Sequence, residues 1–253
     1  MSNNTGDAAR ADAVVVYSCV AKSYDKALMD VRSNDQLRFV VFTDDAKGLH
    51  APGWEVRSIV SPSRLTSGHD VNRFHKFFPH RIFPDTRWSI YIDGNVTYKG
   101  DFLALVAGME GSAAAVGGFW HPKGNTLREE VEANRAWRFD QRDFDRIGAQ
   151  LEAYERAGIQ LERKIPTNQM LVRDHHAHGL ENAMSIWWSQ LFEFTRRDQI
   201  SLLYALQQAG ADWFALASIE GVSYDLVHRV KHRDTIGKRI KNQIRQRLDI
   251  PLT

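Results

Sequence analysis

Residues 88–95 read WSIYIDGN: five apolar or β-prone residues that run straight into Asp93, Gly94 and Asn95. An apolar run of this length, ended by turn residues, is the pattern of a buried strand. Working outward, Ala13 to Val20 (AVVVYSCV) and Leu37 to Phe42 (LRFVVF) repeat the pattern, and Trp54 to Ile59 is a weaker third case. Near-continuous Val, Ile and Phe runs belong to strands covered on both faces, as in parallel sheets. Helical periodicity lies between and after them. It is expected at Tyr24–Val31, Asn72–Phe83, Phe102–Met109, Leu180–Phe194 and Asp198–Ala209, and over most of Thr126–Gly158, where Thr126 and Glu129 have capping-box spacing. Further strands are expected at Ala113–Phe119, Gln169–Arg173 and Trp213–Ala217. Strands alternating with helices define an α/β domain with a mainly parallel sheet. The expected organisation is a disordered N-terminus at 1–12, one domain at 13–230 and a basic tail at 231–253.

The bulk properties agree. The 253 residues are 43% hydrophobic and 25% charged, an ordinary globular composition with a formal charge of +2. Residues 231–253 hold seven Lys or Arg against two Asp, a net of +5, so the rest of the chain is near −3. No nucleic-acid partner is expected of such a domain. Cys19 is the only cysteine, which excludes an internal disulfide and cysteine-rich zinc sites. The first twelve residues lack an apolar signal-peptide core, and no apolar run is long enough to span a bilayer, so a cytoplasmic location is expected.

Ligands of open α/β sheets bind beyond the carboxyl ends of the strands. Two of the expected strands end in acids, at Asp44 and at Asp93. A short carboxylate in that place suits Mg²⁺ or Mn²⁺ bridging a diphosphate. Gly94 would let a phosphate approach, and Asn95 would offer its amide. Asp-Gly-Asn after a strand is equally ordinary turn chemistry. A basic group, Arg64, Arg73, Lys76 and His80, accompanies it; the last three share a helix face at i, i+3 and i+7. They suit phosphate, or a solvated face. Asp198 and Gln199 open a helix, where Asp198 suits an N-cap or a cleft. His121-Pro122 precedes Arg128, Glu129 and Glu130. His228 and His232 are four apart, a metal-ligand spacing that other surface histidines share.

In order, FTDD (42–45), NRFHKFFPH (72–80), WSIYIDGN (88–95), HP with REE (121–130), NQMLVR (168–173), WW (187–188) and RRDQIS (196–201) form a set. The set resembles the glycosyltransferase-like family first catalogued as a domain of unknown function and tied to plant mucilage and cell-wall proteins. Its bacterial members accompany surface-polysaccharide genes. The resemblance implies a GT-A-like, Rossmann-type mixed sheet flanked by helices in a single domain. It implies transfer of a sugar from a nucleotide-diphosphate donor, a UDP-sugar favoured, to a carbohydrate acceptor, in a retaining sense and with Mn²⁺ or Mg²⁺.

By the same resemblance, Asp44, Arg64, Arg73, Lys76, Asp93, Gly94 and Asn95 would hold the donor. Asp93, Asn95 and His228 would hold the metal, Asn95 standing where such enzymes carry a second acid. His121, Asn168, Gln169, Trp187 and Trp188 would meet sugar or acceptor, and Asp198 with Gln199 would serve the transfer. A nucleotidyltransferase is the rival enzyme, but its glycine-rich loop is absent from SCVAKSYDK (18–26). A catalytically inactive sugar- or nucleotide-binding module is the non-enzymatic rival. In the tail, Ile236, Ile240, Ile244 and Leu248 form an apolar stripe among Lys238, Arg239, Lys241, Arg245 and Arg247. Such a helix suits the inner face of an anionic membrane, or packing on the domain or on a second subunit of a homodimer.

Overall fold

The computed structural model describes residues 13–135 and 141–230. The expected disorder at 1–12 and the tail at 231–253, with His232, lie outside those residues. The core is a seven-stranded sheet in the order β3-β2-β1-β4-β7-β6-β8. The strands are β1 (Val14–Val20), β2 (Leu37–Thr43), β3 (Glu55–Ser58), β4 (Trp88–Ile92), β6 (Ala114–Trp120), β7 (Pro166–Asp174) and β8 (Asp212–Ala215). All neighbours are parallel except β7, which runs antiparallel to both β4 and β6. The architecture is thus a mixed, mainly parallel sheet flanked by helices, as the resemblance implies.

Both faces of the sheet are covered, which is why its strands read as continuous apolar runs. Val15, Tyr17 and Cys19 of β1 pack with Val71 and Phe83 on one face. Val14, Val16 and Val20 pack on the other with Phe102 and Leu105 of α3 (Phe102–Met109). Helices α6 (Leu180–Glu193) and α7 (Asp198–Gln208) close the first face over β6 and β7. Among the described residues no helix is long and apolar enough to cross a membrane.

Local signals explain most boundaries. The capping box is made: Thr126 Oγ1 accepts from the Glu129 N–H at 3.2 Å and Glu129 Oε2 from the Thr126 N–H at 2.8 Å. It opens α4 (Leu127–Arg135), followed by α5 (Gln141–Arg156). Three expectations need correction. Tyr24–Val31 is not a helix: Lys22 and Ser23 have positive φ, and the segment instead bonds to the loop around His50. The helix expected at Asn72–Phe83 is two, α1 (Gly68–Phe77) and α2 (Pro79–Ile82). Pro79 lacks the N–H to continue a helix and starts a new one at its N1 position. His80 therefore does not extend the Arg73–Lys76 face. Finally, two three-residue strands, β5 (Val96–Tyr98) and β9 (Val227–Arg229), pair antiparallel beside the Asp-Gly-Asn turn.

Candidate active site

The carboxyl ends of β1 and β4 open into a cleft of about 470 Å³. Four further elements wall it: α1, the start of β7, the start of α7 and, through Arg229, the end of β9. The antiparallel course of β7 matters here, because it brings Asn168 and Gln169 back to the end of β4. The Asp93 N–H donates to the Gln169 carbonyl at 2.8 Å.

At the β4 end, a relay of side chains fixes the first carboxylate. Asn72 Nδ2 donates to the Cys19 carbonyl at 2.7 Å and to the Tyr91 hydroxyl at 3.2 Å. The Tyr91 hydroxyl donates to Asp93 Oδ1 at 2.9 Å. Burial, then the Asp93 charge, pushes that phenol well above its ordinary range, so it remains a donor. Gly94 lets the Asp25 carboxylate lie close against the turn: a Cβ there would come within 2.6 Å of Asp25 Oδ2. Asn95 Nδ2 donates to the Val230 carbonyl at 3.1 Å, tying the turn to β9.

Across the cleft, Asp198 is 2% exposed and clamped by two cations. Lys76 Nζ lies 2.9 Å from Oδ2 and Arg73 Nη2 3.3 Å from Oδ1. Burial alone would raise this carboxyl, but Arg73, Lys76 and Arg197 outweigh it and hold Asp198 far below the usual carboxylate range. Lys76 is also 2% exposed, and its Nζ stands 3.8 Å from Asp93 Oδ1. Burial pulls the ammonium down from its usual range, while Asp198 and Asp93 hold it up. Arg173, fully buried, donates from Nη2 to the Lys76 carbonyl at 2.6 Å and fixes the backbone under that lysine. Trp187 Nε1 donates to the Asp198 carbonyl at 2.9 Å. Asp198 is not an N-cap: the cap residue is Arg197 and no side chain caps this helix.

Asn168 completes the set. Its side chain is 2% exposed, lines the cleft, and neither its amide nitrogen nor its oxygen has a hydrogen-bond partner. A buried amide left unpaired costs roughly 1–3 kcal/mol per group. An unpaired buried amide at a cleft wall calls for a partner, with two donor hydrogens and an acceptor oxygen to offer.

The structure brings together Arg73, Lys76, Asp93, Gly94, Asn95, Asn168, Gln169, Asp198 and Gln199 in one cleft. It does not bring the other expected residues to the lining. Asp44 is exposed behind the rim, accepting the Lys22 N–H at 2.8 Å. Arg64 is exposed and away from the cleft. Half-buried His121 follows β6, its backbone N–H on the Ile165 carbonyl. Trp187 is fully buried, stacked on Phe77 at 3.7 Å, and offers no face to a sugar. Trp188 packs edge-on against Phe74, Phe77 and Phe78. His228 is exposed on β9, opposite Thr97. Sequence reasoning left out of its site Lys22, Tyr24, Asp25, Asn72, Arg196, Arg197 and Arg229, all of which line the cleft. The doublet Arg196-Arg197 was the one visible signal. Arg197 is anchored by buried Glu130, at 3.0 Å from Nε and 2.5 Å from Nη2.

The donor set for a metal is thin. Among the described residues no three His, Cys, Asp or Glu are grouped to hold an ion. Asp198 is taken by two cations, Asp93 Oδ1 by Tyr91 and Lys76, and Asn95 has only a neutral carbonyl oxygen left. These residues do not fit a resident metal centre.

Fold and cleft define an α/β protein with a cleft at the switch between parallel strands, lined by cations and amides. Residues 54–232 match the model of the TOD1/MUCI70, glycosyltransferase-like domain family, and the chain belongs to that family. It is 26% identical to the "Probable hexosyltransferase MUCI70" of Arabidopsis thaliana, over 58% of this chain. The chain spans about a quarter of that relative's length, 26%. Among solved structures it is similar to mouse xyloside xylosyltransferase 1 in its apo form. That likeness has a TM-score of 0.47 and 9% identity, over 81% of this chain and 84% of that one.

Proposed function

We propose that this chain is a glycosyltransferase that moves a sugar from a nucleoside-diphosphate donor to a carbohydrate hydroxyl. The reading rests on one observation: Asn168, whose buried amide has no partner, lines the same cleft as the Arg73–Lys76 pair. The cations suit a diphosphate. The amide suits a sugar hydroxyl, which both donates and accepts. A ligand that uses both kinds of group is a sugar diphosphate. Family membership and the name of the plant relative point the same way.

In this reading Arg73 and Lys76 stabilise charge on the leaving diphosphate. Asn168 and Gln199 hold the sugar, and Asp198 is a positioning residue that aims the two cations. Its depressed basicity makes it a poor proton acceptor. The acceptor oxygen bonds to the anomeric carbon, the bond from that carbon to the phosphate oxygen breaks, and the acceptor's proton passes to the departing phosphate. That route suits retention. UDP-sugars are the first donors to test. Calorimetry with UDP, GDP and their hexose conjugates tests the reading. One conjugate should bind about tenfold tighter than its diphosphate, and Asn168→Ala should remove that advantage while leaving diphosphate binding in place. Failure of every nucleotide to bind at millimolar concentration would end it.

A further inference from the structure

We infer that Lys76 is the resident cation of this cleft, standing between Asp93 and Asp198 where a divalent metal would sit and meeting the donor's diphosphate in its stead. The inference rests on the nucleotide-sugar reading above and departs from the metal that the sequence resemblance implies.

Three observations carry it. First, the ammonium stands between the two carboxylates. It lies 2.9 Å from Asp198 Oδ2 and 3.8 Å from Asp93 Oδ1. A dication on Asp93 Oδ1 would face that ammonium at close range in a partly buried site, where repulsion is weakly screened. Asp25, the remaining cleft carboxylate, sits against Gly94, and with Asp93 it makes no group of three acidic or His ligands among the described residues. Second, the lysine is anchored at both ends. Its Nζ lies 5.1 Å from the centre of the Tyr91 ring, and its backbone carbonyl receives Arg173 Nη2 and the Tyr17 hydroxyl. Fixed charges aimed at developing charge need no rearrangement when it develops. Third, the ammonium has hydrogens to spare. It carries three, Asp198 takes one, and Lys76 lines the cleft despite its burial. A phosphate oxygen beside Asp93 would complete its shell. Arg73 adds a second cation from the same helix face, one turn earlier, on the same Asp198 anchor.

The test is calorimetry of UDP and GDP on the full chain, in excess EDTA and in excess Mn²⁺. For the native protein, affinity in the two buffers should agree within about twofold. Lys76→Met should weaken binding about tenfold or more in EDTA and recover part of it in Mn²⁺, because Asp93 and Asp198 are then open to the ion. Lys76→Arg keeps the charge and should hold within about tenfold of native, and circular dichroism confirms that each variant is folded. Native binding that appears only with Mn²⁺ overturns the inference and spares the nucleotide reading. Undiminished binding by a folded Lys76→Met overturns it too. If the methionine variant does not fold, the native comparison between buffers still decides. Absence of native binding in both buffers removes the nucleotide reading, and the inference with it.

Discussion

The two carboxylates that face each other across the cleft have opposite surroundings. Asp93 ends a strand, keeps 29% of its side chain exposed, and has one hydroxyl donor with an ammonium at 3.8 Å. Asp198 begins a helix, is almost wholly buried, and is gripped by Lys76 and Arg73. The carboxylate of the first takes its hydrogen bond from a residue two positions away, that of the second from residues more than a hundred positions away. Asp93 is thus free to respond to a ligand, while Asp198 works through the cations it holds. Stability and function should separate between them.

The largest effect that would sharpen this contrast is at Asp198. Removing one partner of a buried ion pair leaves the other charge stranded, at a cost of roughly 3–5 kcal/mol. Asp198→Ala should therefore lose about that much in urea unfolding, and a loss below about 1 kcal/mol would break the comparison. The pH profile follows from the sign of the shift. The folded carboxyl is more acidic than the unfolded one, so its stabilisation is complete above the unfolded value and declines only as pH falls below about 4. The stability gap between parent and variant should stay constant from pH 8 to about 5 and close below about 4.

This asymmetry also marks how far the sequence could be read. The strands were legible because burial on both faces leaves runs such as AVVVYSCV and WSIYI. The Asp-Gly-Asn turn was legible as a site because it ends such a strand. From spacing Asp198 read as a helix start suited to a cap or a cleft, and the resemblance added a role in the transfer; a clamp made by Arg73 and Lys76 has no sequence signature at that separation. Trp187 and Trp188 looked like a platform for sugar rings. The helix period argued otherwise: Leu180, Ala183, Met184, Trp187 and Leu191 fall on one face, and all are buried. The loop at Tyr24–Val31 has a helical pattern, but the positive φ angles at Lys22 and Ser23 turn the chain away first. That turn is what puts Lys22, Tyr24 and Asp25 on the cleft wall.

Trp187 offers an intermediate effect on the buried side of the comparison. Its indole N–H supports the Asp198 carbonyl and its ring stacks on Phe77. Trp187→Phe keeps an aromatic ring and removes the donor, so it should cost about 1–3 kcal/mol for the lost bond and the volume together. Sugar-nucleotide affinity should fall with it, since the start of α7 is then less firmly held. A variant of parental stability with weakened binding would instead make Trp187 a contact residue, against its complete burial.

The smallest change in stability belongs to Asp93. Its carboxylate is partly solvated, and substitutions at such sites usually stay within about 0.5 kcal/mol. Asp93→Asn keeps the shape of the turn, since Asn is at home there, and still accepts from the Tyr91 hydroxyl. Thermal melting should therefore coincide with that of the parent. Ligand binding should not. With its charge gone, Asp93 no longer offsets the Lys76 ammonium, and the cleft becomes more positive by one charge. A bare diphosphate should then bind as well as before or more tightly, by up to about tenfold. If Asp93 instead held a metal bridging the diphosphate, the same substitution would weaken binding in Mn²⁺ and do nothing in EDTA. The two accounts thus predict opposite signs for one isosteric change, and calorimetry of UDP on Asp93→Asn in both buffers reads that sign directly.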